Sequence, residues 1–317
     1  MIRKLFIIHF LLFPFFLSGQ QIPFYTQTTS TSFLINPAIA GTKKSLDLRI
    51  GYRNQWTGFD GAPVTEYASL NSRLFAGRMG LGVYAYKDET GPISRTNYTG
   101  AYAFHLRFPD VELSIGLSGS IIQYQINGSK ITIQTPGDLV IDQTKTKTIL
   151  APDVGTGFYI YNDRFHFGAS ALGLLSSTIN DYGKGSIPKE PGSLNTHFYL
   201  SLGYNYSGNP DFIWENNAFA TYVKATPIFM GYSLRMFYKR KIIIGTSIRL
   251  RDAIALNVGY VIADKFHISY SYDVIVSHLR PYNGGSHEVM LAYSVVGKKK
   301  IHRGNDSFQR QKYGYMF

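Results

Sequence analysis

The sequence predicts an all-β fold: a transmembrane antiparallel up-and-down outer-membrane β-barrel of about 14 strands. Three observations carry this expectation. The N-terminus reads as an export signal, the rest of the chain has a hydrophobic period of two, and the second face of its strands is small and neutral rather than charged. The last feature is visible in composition. The chain has 317 residues, is 44% hydrophobic and 15% aromatic, and only 16% charged. Soluble domains carry about a quarter charged residues, so this chain is short of the groups that keep a surface wet. It contains no cysteine, which excludes disulfides, thiol catalysis, thiolate metal sites and a lipidated N-terminal Cys.

Arg3 and Lys4 precede an apolar run over 5–17 that is broken only by His9 and Pro14, and Ser18 and Gly19 follow. A short basic region, an apolar stretch and a small-residue exit describe a secretory signal peptide over 1–19, cleaved near Gly19 and Gln20. The run is too short to span a membrane, which takes about 20 residues. Residues 20–44 are then an N-terminal periplasmic or plug segment, 45–297 the barrel, and 298–317 a basic periplasmic tail.

From 45 onward the chain alternates. Leu46, Leu48, Ile50 and Tyr52 take one face and Asp47, Arg49, Gly51 and Arg53 the other. The same period runs through Phe198, Leu200, Leu202, Tyr204 and Tyr206, and through Phe266, Ile268, Tyr270, Tyr272 and Val274. Alternation of this length means strands with two chemically distinct faces. In a secreted β-sandwich the polar face would be rich in Lys, Glu and Asp. Here it is mainly Gly, Ser, Ala, Thr and Asn, which suits a polar lumen inside an apolar, aromatic-rich exterior. In lipid only a closed barrel satisfies every strand's backbone groups.

The strands fall near 45–56, 63–75, 79–87, 94–109, 111–126, 153–162, 164–173, 195–207, 212–223, 227–239, 241–251, 253–262, 264–275 and 286–297. Those at 63–75 and 212–223 are weakly patterned. With the first strand running outward, the connections at one end are mostly short turns. The other end carries long segments at 57–62, 88–93, 127–152, 174–194 and 276–285, the polarity of an outer-membrane barrel.

Little catalytic chemistry is legible. No HExxH spacing occurs, and His166 and His267 alternate with apolar neighbours as lumen-facing polar fillers. Gly116 to Gly119 lies inside a strand and lacks the strand–turn–helix context of a nucleophile elbow. Gly80, Gly82, Gly155 and Gly157 read as strand glycines, not phosphate cradles. The expectation is a non-enzyme with no cofactor and no metal. The net charge of +12 falls to about +5 without Arg3, Lys4 and the tail, which holds Lys298, Lys299, Lys300, Arg303, Arg310 and Lys312 against Asp306. A basic tail usually suggests nucleic acid, which this compartment lacks. It reads either as a solvated extension or as an arm for an acidic periplasmic partner.

Four loop motifs exceed what barrel physics requires. They are Asn36-Pro37-Ala38-Ile39-Ala40-Gly41; the run Tyr52, Arg53, Asn54, Gln55, Trp56, Thr57, Gly58, Phe59, Asp60, Gly61, Ala62 and Pro63; Asp88 with Gly91 and Pro92; and Ser271-Tyr272-Asp273 followed by Gly284, Gly285, Ser286, His287 and Glu288. In order and spacing the set resembles the PorP/SprF family of Bacteroidota, outer-membrane proteins of the type IX secretion and gliding system. Ile39 stands where that family typically has Tyr. The resemblance implies a partner-binding barrel that captures the C-terminal domain of a large secreted adhesin and supports its export or surface anchoring. Trp56 and Phe59 would be aromatic anchors, with Arg53 and Gln55 positioning backbone or closing the lumen and Gly58, Gly61 and Pro63 shaping the loop. Two readings of this loop stand, partner contact and an inward plug, and Gly284 to Glu288 would alternatively nucleate the closing hairpin. The implied partners are the adhesin, other type IX components, periplasmic ones among them through the tail, and outer-membrane lipid. A porin or hydrophobic-solute channel is the alternative function.

Overall fold

A computed structural model describes residues 22–74, 77–131, 146–176, 194–224 and 226–296. The expected signal peptide at 1–19, the basic tail at 298–317, and the middle of the long segments at 127–152 and 174–194 lie outside the described residues. Fourteen antiparallel strands close into one barrel. They are β1 (Ser45–Asn54), β2 (Val64–Leu74), β3 (Met79–Thr90), β4 (Ile93–Arg107), β5 (Glu112–Asn127), β6 (Thr146–Tyr161), β7 (Phe165–Leu172), β8 (His197–Asn209), β9 (Phe212–Val223), β10 (Phe229–Tyr238), β11 (Ile242–Arg249), β12 (Ala253–Ile262), β13 (Phe266–Ile275) and β14 (Ser286–Val296). Each strand pairs with its sequence neighbours, and β14 closes on β1 from Ser45 opposite Val296 to Asn54 opposite His287. Both weakly patterned segments are strands, β2 and β9.

The two faces separate as the alternation requires. Leu46, Leu48, Ile50 and Tyr52 point outward, 40–47% exposed, while Asp47, Arg49 and Arg53 are buried inside. The outward rows of β8 and β12 are likewise large and apolar, an exterior that is stable against lipid rather than water.

At the short-turn end, Lys239 and Arg240 (φ 47° and 57°) and Ala263 and Asp264 (φ 51° and 55°) are the central pairs of tight turns, closed by Lys241 N–H to the Tyr238 carbonyl and Lys265 N–H to the Ile262 carbonyl. Positive φ at both central positions is the turn whose twist matches the flanking strands. The long-loop end is more regular than expected in two places. Residues 88–93 are not a loop: β3 runs to Thr90 and β4 starts at Ile93, with Gly91 (φ 55°) and Pro92 closing the hairpin. The loop over 127–152 is shorter than expected, because β6 starts at Thr146. β5 extends to Asn127 and supplies a partner for every residue from Thr146 to Tyr161, Pro152 included.

The interior is a packed core. Residues 22–44 run through it, with a short helix α1 (Ser32–Ile35) and a 3-10 turn (Pro37–Ile39). Tyr25, Phe33, Leu34 and Ala40 of this segment form one apolar cluster with Tyr67, Tyr84, Tyr86, Ala101, Ala103 and Met290 of the wall.

Candidate functional site

The segment's seat begins with the Asn36 to Gly41 motif near the short-turn end. Asn36 Oδ1 accepts from the Ala38 amide at 2.9 Å, and Pro37 opens the 3-10 turn, where a residue without an N–H costs nothing. Asn36 Nδ2 also donates to the Phe158 carbonyl of the wall at 3.1 Å. Ser114 Oγ donates to the Ala38 carbonyl at 2.7 Å, and His105 Nε2 bonds the Ala40 carbonyl at 2.9 Å. Ala38 and Ala40 have no exposed surface, because wall glycines face them: a Cβ on Gly116 would fall on the Ala38 nitrogen, and one on Gly80 on the Ala40 carbonyl. Gly41 takes φ 73°, a conformation costly for other residues. Its N–H meets Asn71 Oδ1 at 3.0 Å, and its carbonyl accepts from Arg73 Nε at 2.6 Å. Arg73 in turn pairs with Glu112 at 2.6 Å, and Lys44 does so at 2.5 Å. Lys43 is largely buried beside Arg49. Burial, then that neighbouring charge, hold its ammonium down to about 8, while Asp47 at 3.5 Å opposes the shift.

Toward the long-loop end, four buried charges clamp the start of the segment. Arg53 donates to Asp273 at 2.8 Å and lies 3.4 Å from Glu288. Arg249 donates to the same Asp273 oxygen at 2.8 Å and to Asp252 at 2.7 Å. The Thr26 amide donates to Glu288 at 2.6 Å, and the Thr26 hydroxyl donates to Asp273 at 2.9 Å and accepts from Arg53. Asp273 and Glu288 have no exposed surface. Buried carboxylates persist when paired and hydrogen-bonded, and here the segment's own backbone supplies one of those bonds. The Phe24 ring lies 5.3 Å from the Arg249 guanidinium.

Above this clamp the loop motifs knit into one rim. Thr57 N–H donates to the Gly285 carbonyl and Gly284 N–H to the Thr57 carbonyl, both at 2.7 Å. Gly91 N–H donates to the Gly61 carbonyl at 3.0 Å, and Gln55 N–H to the Pro63 carbonyl at 2.9 Å. Trp56 N–H donates to Ser286 Oγ at 3.1 Å. Gly285 sits at φ 93°, and a Cβ there would lie 2.6 Å from the Asp273 carbonyl, so glycine is required where the rim crosses the clamp.

The nominated residues therefore divide by direction. Arg53 and Ser286 face inward. Gly58, Phe59 and Gly61 stand exposed at the rim, with Phe59 46% exposed, while Ala62 and Pro63 are half-buried. Trp56 is also half-buried, and its Nε1 has no partner among the described residues. Tyr52 faces outward, as does His287, which bonds Tyr270 Oη at 2.7 Å. Gly91 and Pro92 belong to the neighbouring hairpin tip. Asn36, Pro37 and Gly41 are remote from the rim, inside the barrel. Sequence reasoning passed over Thr26, Arg73, Glu112 and Arg249, gave Asp273 no role, and gave Glu288 only a part in nucleating the closing hairpin. For the charged ones the one local signal is a charge on an otherwise neutral strand face; Thr26, uncharged and outside the strands, gives none. Among the described residues, no group of three or more His, Asp and Glu could hold a metal ion.

A family model described as "Type IX secretion system membrane protein PorP/SprF" matches residues 17–293, which include all four motifs. The chain belongs to the PorP/SprF family. Membership and barrel fold together imply that this PorP/SprF protein resides in the outer membrane, and they are those of a secretion membrane barrel rather than of known enzymes. A search of curated proteins returned no match. Among solved structures, the PorP/SprF chain is similar to the CymD monoaromatic hydrocarbon channel at 12% identity (TM-score 0.49, covering 86% of this chain and 93% of that one). It is also similar to the Pseudomonas putida toluene transporter TodX at 9% identity (TM-score 0.47, 88% and 96%), and to a Pseudomonas aeruginosa FadL homologue at 11% (TM-score 0.45, 82% and 91%).

Proposed function

We propose that this PorP/SprF barrel acts as a cell-surface docking platform, binding the C-terminal domain of a type IX-secreted adhesin at its long-loop rim and supporting the adhesin's export or anchoring. The observation that carries this reading is the construction of the rim. Phe59 is exposed on a loop tied by backbone hydrogen bonds to the β13–β14 loop and the β3–β4 hairpin. An aromatic side chain on a pre-ordered loop loses little freedom on binding, which is how interface anchors work. Trp56, half-buried beside it on the same loop, supplies a second ring.

The interior supports the same reading. Residues 22–44 act as a plug, seated by the clamp at one end and the Asn36 to Gly41 motif at the other. With the lumen so filled, cargo is held outside the barrel and is not threaded through it. The basic tail at 298–317 serves as a periplasmic arm for other type IX components.

The test is a pull-down from native membranes analysed by mass spectrometry, with a Phe59→Ala and Trp56→Ala double variant as comparison. The expected result is co-purification of a type IX adhesin with the native barrel, its loss with the double variant, and loss of surface display on gene deletion. Recovery of no type IX cargo or component, together with solute flux through the purified barrel in liposomes, would refute docking in favour of a transport channel.

A further inference from the structure

At the long-loop end, β6 reaches further than β7. It begins at Thr146, already paired with β5, whereas β7 extends only to Leu172, opposite Gly155. The cause is local. Gly173 takes φ 81°, and the Asp153 carboxylate accepts from the Gly173 N–H at 2.8 Å and the Leu175 N–H at 3.2 Å. The turn so pinned ends β7. Along an antiparallel strand, successive residues aim their N–H and C=O groups at alternate neighbours. The Asn162 N–H donates to the Phe165 carbonyl at 2.9 Å and the Leu174 N–H to the Val154 carbonyl at 3.1 Å, so the even positions serve the β7 side. Above Val154 that side has no strand. Among the described residues, the N–H and C=O groups of Thr146, Thr148 and Leu150 have no partner there.

This edge stands where another chain can reach it. On its rung of the sheet Leu150 is followed by Gln123, Thr96, Lys87 and Glu66, outward positions too polar for the hydrocarbon band. Leu150 itself is apolar and 64% exposed. The edge is also continuous with the rim, because the Asn127 N–H of β5 donates to the Pro92 carbonyl and the Gly91 N–H to the Gly61 carbonyl. Open edges are usually blunted by a charge on the exposed face. Here that face carries Thr146, Thr148 and Leu150, and Lys147 lies on the other one. A row of N–H and C=O groups repeating every two residues, about 7 Å, matches one kind of ligand, an extended polypeptide.

We propose that the β6 edge over Thr146–Leu150 is a strand-addition site, which takes up an extended segment of the docked adhesin beside β6. The proposal rests on the docking reading above and adds a second contact to it: the rim offers aromatic anchors, and the edge holds the cargo's backbone. Such an edge selects extended backbone rather than one sequence, with Leu150 favouring an apolar residue beside it.

Leu150→Pro deletes an edge N–H that the barrel does not use and leaves the β5 ladder whole. The variant should keep the native heat-dependent mobility shift. The adhesin co-purified with it from native membranes should fall about tenfold, the worth of one or two backbone hydrogen bonds. Leu150→Thr, which keeps the N–H, should recover most of the adhesin. Residue-resolved hydrogen exchange on the unmodified barrel gives a reading independent of the variants. The amides of Thr146, Thr148 and Leu150 should exchange freely in the barrel alone and become protected in barrel recovered with adhesin. Protection already present in the barrel alone would mean that this chain or a second copy takes the edge, and would overturn the proposal. Undiminished recovery with Leu150→Pro, or an equal loss with Leu150→Thr, would do the same while leaving rim docking intact. Recovery of no adhesin by the native barrel would instead remove the docking reading, and the edge site with it.

Discussion

Gly116 and Gly119 lie on the same strand and face opposite sides of the wall, and a valine at each should have opposite consequences. A Cβ at 116 meets the backbone of Pro37 and Ala38, whereas one at 119 meets nothing within 4 Å. Backbone cannot swing aside as a side-chain tip can, so in Gly116→Val the turn over 36–41 has to lift. Overpacking of this kind costs about 1–3 kcal/mol. Lifting the turn also breaks the Ser114–Ala38 and Asn36–Phe158 hydrogen bonds, each worth about 1 kcal/mol net. A loss of about 3–5 kcal/mol in the seating of the segment follows, which is roughly a 100- to 4000-fold rise in the population with the segment unseated. The chain has no cysteine, so Thr31→Cys introduces a single reporter thiol at a position 1% exposed. Its maleimide labelling rate should rise by that factor in Gly116→Val and stay unchanged in Gly119→Val. Equal labelling in the two valine variants would refute the close packing of the segment on β5. So would a reporter that, with no valine present, labels as fast as a cysteine introduced at Asp60.

Three further outcomes follow from the same contacts. Arg53→Met strips a partner from two carboxylates with no exposed surface and should lower stability by about 3–5 kcal/mol, read as a fall in urea midpoint at unchanged slope. Arg53→Lys should recover only part of this, since one ammonium replaces a fork that reaches Asp273, Glu288 and Thr26 together. Asn36→Ala removes the cap on Ala38 and the bond to Phe158; a loss of about 1–3 kcal/mol should appear as faster labelling of the Thr31→Cys reporter. Lys43→Met tests a pH effect. Lys43 is held at about 8 in the fold against an ordinary 10.5, so between those values the unfolded chain binds more protons and this group's contribution to stability rises with pH. The penalty is full below pH 8. The stability difference between the native barrel and Lys43→Met should therefore shift across pH 8 to 10.5 and level off above; a flat difference over that window would remove the assigned role of burial.

The architecture was legible because strand alternation is local. Whether Leu46, Leu48 and Ile50 share a face depends only on backbone geometry over a few residues, and a neutral opposite face told lipid from water. Fourteen strands, with most boundaries within a few residues, follow from that reading and from turn residues. The hairpin tip at Gly91 and Pro92 and the start of β6 escaped it, because how far a strand extends depends on the length of its partner. The meeting of the motifs was not legible either. Arg53 reaches Asp273 and Glu288, 220 and 235 positions along the chain, only because closure sets β1 beside β14. No local pattern marks that event. Likewise, Asn36 to Gly41 reads as a turn in any context, and its alanines and glycine make sense only against Gly80, Gly116 and Asn71 of the wall. Which inward-facing group meets which is decided through space, by the closure of the barrel around its own N-terminal segment.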